Sequence, residues 1–171
     1  MIEKLENVVR AVHEEFGCMV NYGGCGVFAE SVFPYLVELG LDPVIRVYGN
    51  GGGSLTVARQ NLQHRRTRSM DDYHANDISF AHVACEVWID GCDYIVDSEG
   101  VHDPEEFIGR WAYPQEGELT HFETLEISRK RRGWNPMFER GWIKPIKQML
   151  REGFAAQFGI AVERSYVRAY S

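Results

Sequence analysis

Three side chains of this sequence have the types and spacing for covalent chemistry: Cys25, His82 and Asp97. Cys25 stands in the run Asn21-Tyr22-Gly23-Gly24-Cys25-Gly26-Val27, where glycines lead into an apolar-periodic segment. A thiol at the start of a helix meets unpaired backbone N–H groups and the positive end of the helix dipole. Both favour thiolate over thiol. Gly24 and Gly26 carry no Cβ, so a substrate can come close to the sulfur. A cysteine nucleophile also needs a base and a group that orients the base. The stretch from Ala81 to Asp97 supplies an imidazole and a carboxylate.

In the expected reaction Cys25 attacks a carbonyl carbon. His82 takes the thiol proton and later gives it to the leaving group, while Asp97 fixes the imidazole tautomer and stabilises the cation. The backbone N–H of Cys25 is one donor to the oxyanion. Asn21 and Tyr22, just upstream, are the candidates for the second, and Gly24 is a candidate for close contact with substrate. His102, five residues after Asp97, is held in reserve as a substitute base. Otherwise His102, like His13, His64, His74 and His121, reads as a surface or capping residue.

The elements that must position these groups follow from periodicity. Ile2, Leu5, Val8, Val9, Val12 and Phe16 form a helical stripe that ends at Gly17. A second helix begins near Cys25 and runs to Leu39, with Pro34 inside it as an expected kink. Pro43 to Gly49 reads as a strand, followed by a glycine-rich loop at 50–54 that lacks the GK[ST] ending of a phosphate site. Residues 65–77 form a polar excursion. Strands are predicted over Phe80–Ile89 and Cys92–Asp97, and a short helix opens at Asp103-Pro104 with an aspartate cap. A strand over 122–128, a helix over 143–158 and a closing strand over 162–170 complete the order. This sequence of elements argues for an α+β fold rather than a wound parallel sheet.

Asp90-Gly91 between the two strand-like runs is a strong signal for a two-residue type I′ turn. It would pair Ile89 with Cys92, Ala84 with Asp97 and His82 with Glu99. His82 and Asp97 then share a face as diagonal neighbours, about 7–8 Å apart at the backbone. Trp88 lies on that same face and is a candidate wall of the site. Val83, Cys85, Val87 and Ile89 project to the opposite face, with Cys92, Tyr94 and Val96, toward the core.

The totals set bounds on function. The length suits a single domain over 1–171, and the apolar and charged fractions are those of a globular protein. A net charge of −7 disfavours nucleic acid as a partner, although Arg65-Arg66-Thr67-Arg68 and Arg129-Lys130-Arg131-Arg132 are local basic runs. Neither a membrane span nor a secretory signal is evident, so a cytoplasmic protein is expected. The four cysteines show neither a disulfide framework nor CxxC spacing. No metal and no cofactor are expected, and Cys18, Cys85 and Cys92 are assigned to the core.

The segment Gly24-Cys25-Gly26-Val27-Phe28-Ala29-Glu30, followed by Leu36-Val37-Glu38-Leu39-Gly40 and the strand to Gly49, resembles the nucleophile segment of the transglutaminase-like superfamily. Ala81-His82-Val83 and Tyr94-Ile95-Val96-Asp97 resemble its histidine and aspartate strands, in the same order. The resemblance covers about residues 20–100. It implies a papain-like core with the cysteine helix packed against an antiparallel sheet. The Gly-Gly pair before the cysteine is similar to that of arylamine N-acetyltransferases as well. The implied function is a thiol hydrolase that cleaves an amide or peptide bond through an acyl-enzyme. Alternatives are an acyltransferase that passes the acyl group to an amine, and a non-catalytic binding module that keeps the fold.

Overall fold

The structure is a computed structural model, described here over residues 1–21, 24–48, 82–111 and 141–160. Within these residues the elements are helix α1 (Ile2–Phe16), a 3-10 turn (Gly17–Val20), helix α2 (Cys25–Glu38), strands β1 (Val44–Tyr48), β2 (His82–Ile89), β3 (Cys92–Asp97) and β4 (Gly100–His102), and helices α3 (Pro104–Trp111) and α4 (Ile143–Phe158). The strands form one antiparallel sheet in the order β1-β2-β3-β4. This is an α+β arrangement. The predicted loop at 50–54, the excursion at 65–77, both basic runs and the strands proposed over 122–128 and 162–170 lie outside the described residues.

Each helix near the site forms for a local reason. The stripe of α1 buries Leu5, Val8, Val9 and Val12, and the helix stops where the Gly17 N–H bonds back to the His13 carbonyl. Helix α2 starts at Cys25, with Gly24 as its N-cap, and continues past Pro34 to Glu38. Helix α3 begins as the sequence dictates: the Asp103 carboxylate accepts the Glu105 N–H at 2.8 Å, and Pro104 occupies the first helical position.

The sheet divides the buried side chains into two groups. On one face Val83, Cys85, Val87 and Ile89 of β2 meet the apolar sides of α1 and α2, with Ile146, Leu150 and Phe154 of α4 closing the core. The Phe154 ring stacks on Tyr35 of α2 at 4.5 Å between centroids. On the other face Tyr48, Ala84, Ile95 and Phe107 form a smaller cluster, which α3 supplies with its phenylalanine. Of the cysteines assigned to the core, Cys85 is buried, whereas Cys18 and Cys92 are exposed. Cys92 opens β3 at the hairpin end, and Cys18 sits in the 3-10 turn that succeeds α1. Neither place is reached by the core-facing stripe that buries a cysteine. Among the described residues, no helix is long and apolar enough to cross a membrane.

The three-residue β4 was not anticipated by strand patterning, and it is held from two sides. Its Gly100 pairs with Asp97, and its Val101 N–H donates to the Glu6 carboxylate reaching over from α1. Gly100 has φ +154, and a Cβ placed there would stand 2.8 Å from Glu6 Oε2. A Gly100→Ala chain must therefore take a strained backbone and displace the carboxylate that binds Val101. A loss of roughly 1–3 kcal/mol is expected in urea denaturation.

Candidate active site

The two-residue turn sets the geometry of the hairpin. Asp90 and Gly91 both have positive φ, 51° and 89°, as a type I′ turn requires. The ladder runs from Ile89↔Cys92 to Cys85↔Val96, which is the predicted register. It stops one step short of the extrapolated Ala84–Asp97 and His82–Glu99 pairs, and on its other edge β3 continues one step further, to Asp97↔Gly100 of β4. His82 nonetheless lies on the face expected, opposite Tyr48 of β1. Its Nε2 is 2.9 Å from Asp97 Oδ2. Diagonal placement brought the two side chains into direct contact.

Both partners are sealed from solvent: His82 is 0% exposed and Asp97 1%. A buried carboxylate must be paired and hydrogen-bonded to remain charged, and Asp97 is held on several sides. Its Oδ1 accepts the Glu99 backbone N–H at 2.7 Å and faces His102 Nε2 at 2.9 Å. Its Oδ2 receives Asn21 Nδ2 at 3.4 Å in addition to His82. Burial alone would push the Asp97 carboxyl up, but the hydrogen bonds and positive charge of His102 and His82 hold it well below the usual carboxylate range.

Cys25 completes the row from the N-terminus of α2. It is buried, and its thiol interacts with the His82 imidazole. Burial works against ionisation of this thiol. The hydrogen bond from His82, the charge of that ring and the backbone N–H groups of Val83 and Gly26 outweigh it, and they bring the thiol below its ordinary value. The imidazole responds in the opposite sense. Burial would lower it, but hydrogen bonds to Asp97 and Cys25, with their negative charge, raise it to about 9. Each group thus shifts toward its charged form, and each shift is supported by the charge of the other. Cys85 shows the contrast: it is buried beside the Ala29 carbonyl at 3.5 Å, and burial pushes its thiol upward.

The remaining site candidates divide. Asn21 is buried, but its amide is committed: Nδ2 faces Asp97, and Oδ1 accepts the Ser98 hydroxyl at 2.8 Å. Its side chain therefore belongs to the carboxylate rather than to an oxyanion. Gly24 caps α2 next to the sulfur, and its carbonyl accepts the Phe28 N–H at 2.9 Å. Tyr22 lies outside the described residues. Trp88 does not join the site. It is 55% exposed and opposite Asp93 near the turn, six residues along β2 from His82. At about 3.3 Å per residue that is roughly 20 Å away. Alternation along a strand gave its face correctly, and its position along the strand excludes it.

Sequence reasoning missed Ser98, which holds Asn21. It placed His102 near the site by its spacing from the aspartate, but as a substitute base; the ring instead binds the second oxygen of Asp97 and packs on Phe107 at 5.3 Å between centroids. No protein-family model matches the chain, and searches of curated proteins and of solved structures also find no match.

Proposed function

We propose that this protein is a cysteine-dependent acyl-transfer enzyme, in which Cys25 is the nucleophile, His82 the general acid and base, and Asp97 the group that orients and charges the imidazole. A papain-like or transglutaminase-like core is part of the same proposal. The observation that carries it is the row itself: one buried imidazole bonded to a buried carboxylate at 2.9 Å and electrostatically coupled to a thiol at a helix N-terminus. With Nε2 engaged by Asp97, Nδ1 is the ring atom that serves the sulfur. Attack on a carbonyl forms the carbon–sulfur bond, and the imidazolium proton passes to the leaving group as the bond to it breaks. In this reading the N–H groups at the start of α2 serve as donors to the negative charge that builds on the carbonyl oxygen. The substrate class is an amide, peptide or other activated acyl compound. Water as the acceptor gives a hydrolase, and an amine gives a transferase.

Trapping the acyl-enzyme tests this reading. In a Cys18→Ser/Cys92→Ser chain, which lacks the two exposed thiols, an activated ester such as p-nitrophenyl acetate should add one acetyl group, and peptide mass spectrometry should place it on Cys25. Decay of that adduct in water, compared with decay in the presence of added amine, separates hydrolysis from transfer. Acetylation spread over Cys85 and lysines, with none favoured at Cys25, would sink the proposal.

A further inference from the structure

The geometry points to His102 as a positioning residue for the Cys25–His82 couple: it holds the second oxygen of Asp97, and its charge state, felt through that carboxylate, sets the acid edge of Cys25 reactivity. This inference rests on the acyl-transfer reading of the same site.

Asp97 has two oxygens and an imidazole on each, His82 Nε2 on Oδ2 and His102 Nε2 on Oδ1, both at 2.9 Å. The two rings differ in access. His82 is sealed at 0% exposure, whereas the His102 side chain is 22% exposed. The solvent-reaching ring therefore communicates with the sealed one through a single buried carboxylate. Phe107 of α3 packs on both rings, at 5.7 Å from His82 and 5.3 Å from His102 between centroids, and so fixes their relation to Asp97.

The direction of the effect follows from charge. A thiolate–imidazolium pair beside Asp97 carries a net charge of minus one. On the acid limb the pair takes up one proton, on the Cys25 sulfur, while His82 stays protonated. A positive charge on His102 opposes that uptake, so the thiolate persists to lower pH. Among the charged groups on neighbouring elements, Glu6 of α1 accepts from Val101 and pairs with Arg10, and Glu99 follows Asp97 closely, its backbone N–H on that carboxylate. Asp103 caps α3, whose Glu105 and Glu106 are exposed. Arg46 and Glu86 pair with each other on β1 and β2.

The test compares the unaltered site with His102→Gln, whose amide can still donate to Oδ1 but carries no charge at any pH. Both chains carry Cys18→Ser and Cys92→Ser. Iodoacetamide rates at Cys25 are measured from pH 4 to 8, and histidine ring nitrogens are followed by NMR over the same range. The unaltered site should keep its reactivity to lower pH. His102→Gln should lose it at higher pH and alkylate roughly threefold slower at its acid end. In NMR, the His82 ring should register a second step that vanishes in His102→Gln. Superimposable rate profiles with an unchanged His82 titration would overturn the inference. If Cys25 is not alkylated selectively at all, the acyl-transfer reading fails. The NMR comparison then still decides whether His102 is coupled to His82. Should His102→Gln not fold, His102→Asn takes its place, and a single-step His82 titration in the unaltered site is itself the overturning result.

Discussion

Replacing His82 by alanine should cost Cys25 most of its reactivity at pH 6.5. The sulfur is buried, and burial by itself opposes ionisation; the imidazole is the main counterweight. Without it the thiol returns to, or above, the ordinary cysteine range near 8.5, where only about 1% is thiolate at pH 6.5. The rate of alkylation should drop by roughly tenfold to a hundredfold, the smaller figure allowing for the greater intrinsic nucleophilicity of a more basic thiolate. Turnover of an acyl substrate should fall further, since the leaving group also loses its proton donor. The pH profile discriminates between roles: His82→Ala should move the alkylation midpoint upward, whereas a merely structural histidine would lower the folded fraction and leave the midpoint in place. Urea denaturation of the same variant supplies the control.

The second large effect is expected at Asp97. Asp97→Asn keeps the shape but removes the charge, so His82 loses the partner that raises its affinity for a proton. Acyl transfer should fall by roughly a hundredfold to ten-thousandfold, the range expected when an imidazole loses its orienting carboxylate. Stability should fall too, by about 3 kcal/mol, because a buried histidine is left without its ionic partner. The pH window of that loss is set by both groups. Asp97 has a depressed folded-state value, so its contribution is present above the unfolded carboxylate value near 4 and fades as pH falls below it. His82 has a raised value, so its contribution is complete below about 6.5 and fades as pH rises through about 9. The difference in stability between the two chains, measured by urea denaturation, should therefore be largest near pH 5–6 and shrink toward both ends. A difference independent of pH would show that the pair contributes shape alone.

Much of this site was legible because one turn controls it. Asp90-Gly91 admits positive φ at both positions, and that choice fixes which residues of β2 and β3 share a face. The helix carrying Cys25 was legible from its period and its glycine cap. What escaped the sequence depends on partners brought together from afar. Asn21 was read as a neighbour of the nucleophile, whereas its amide turns to Asp97 and Ser98, more than seventy positions on. Strand β4 has too few residues for alternation to show, and it exists because β3 and Glu6 hold it. Exposure of Cys18 and Cys92 was missed for a related reason: residue type predicts burial only where an element turns that side chain inward.

The stacking of Phe154 on Tyr35 has a consequence for the order of events in folding. The helix that presents the nucleophile is buttressed by an aromatic residue more than a hundred positions further along the chain. Contacts of such separation form late, because a long loop must close before they repay its entropy. The hairpin with His82 and Asp97 is local and can form early. A nascent chain would thus carry its base before its nucleophile is seated, and the thiol would gain its reactivity only when α4 docks.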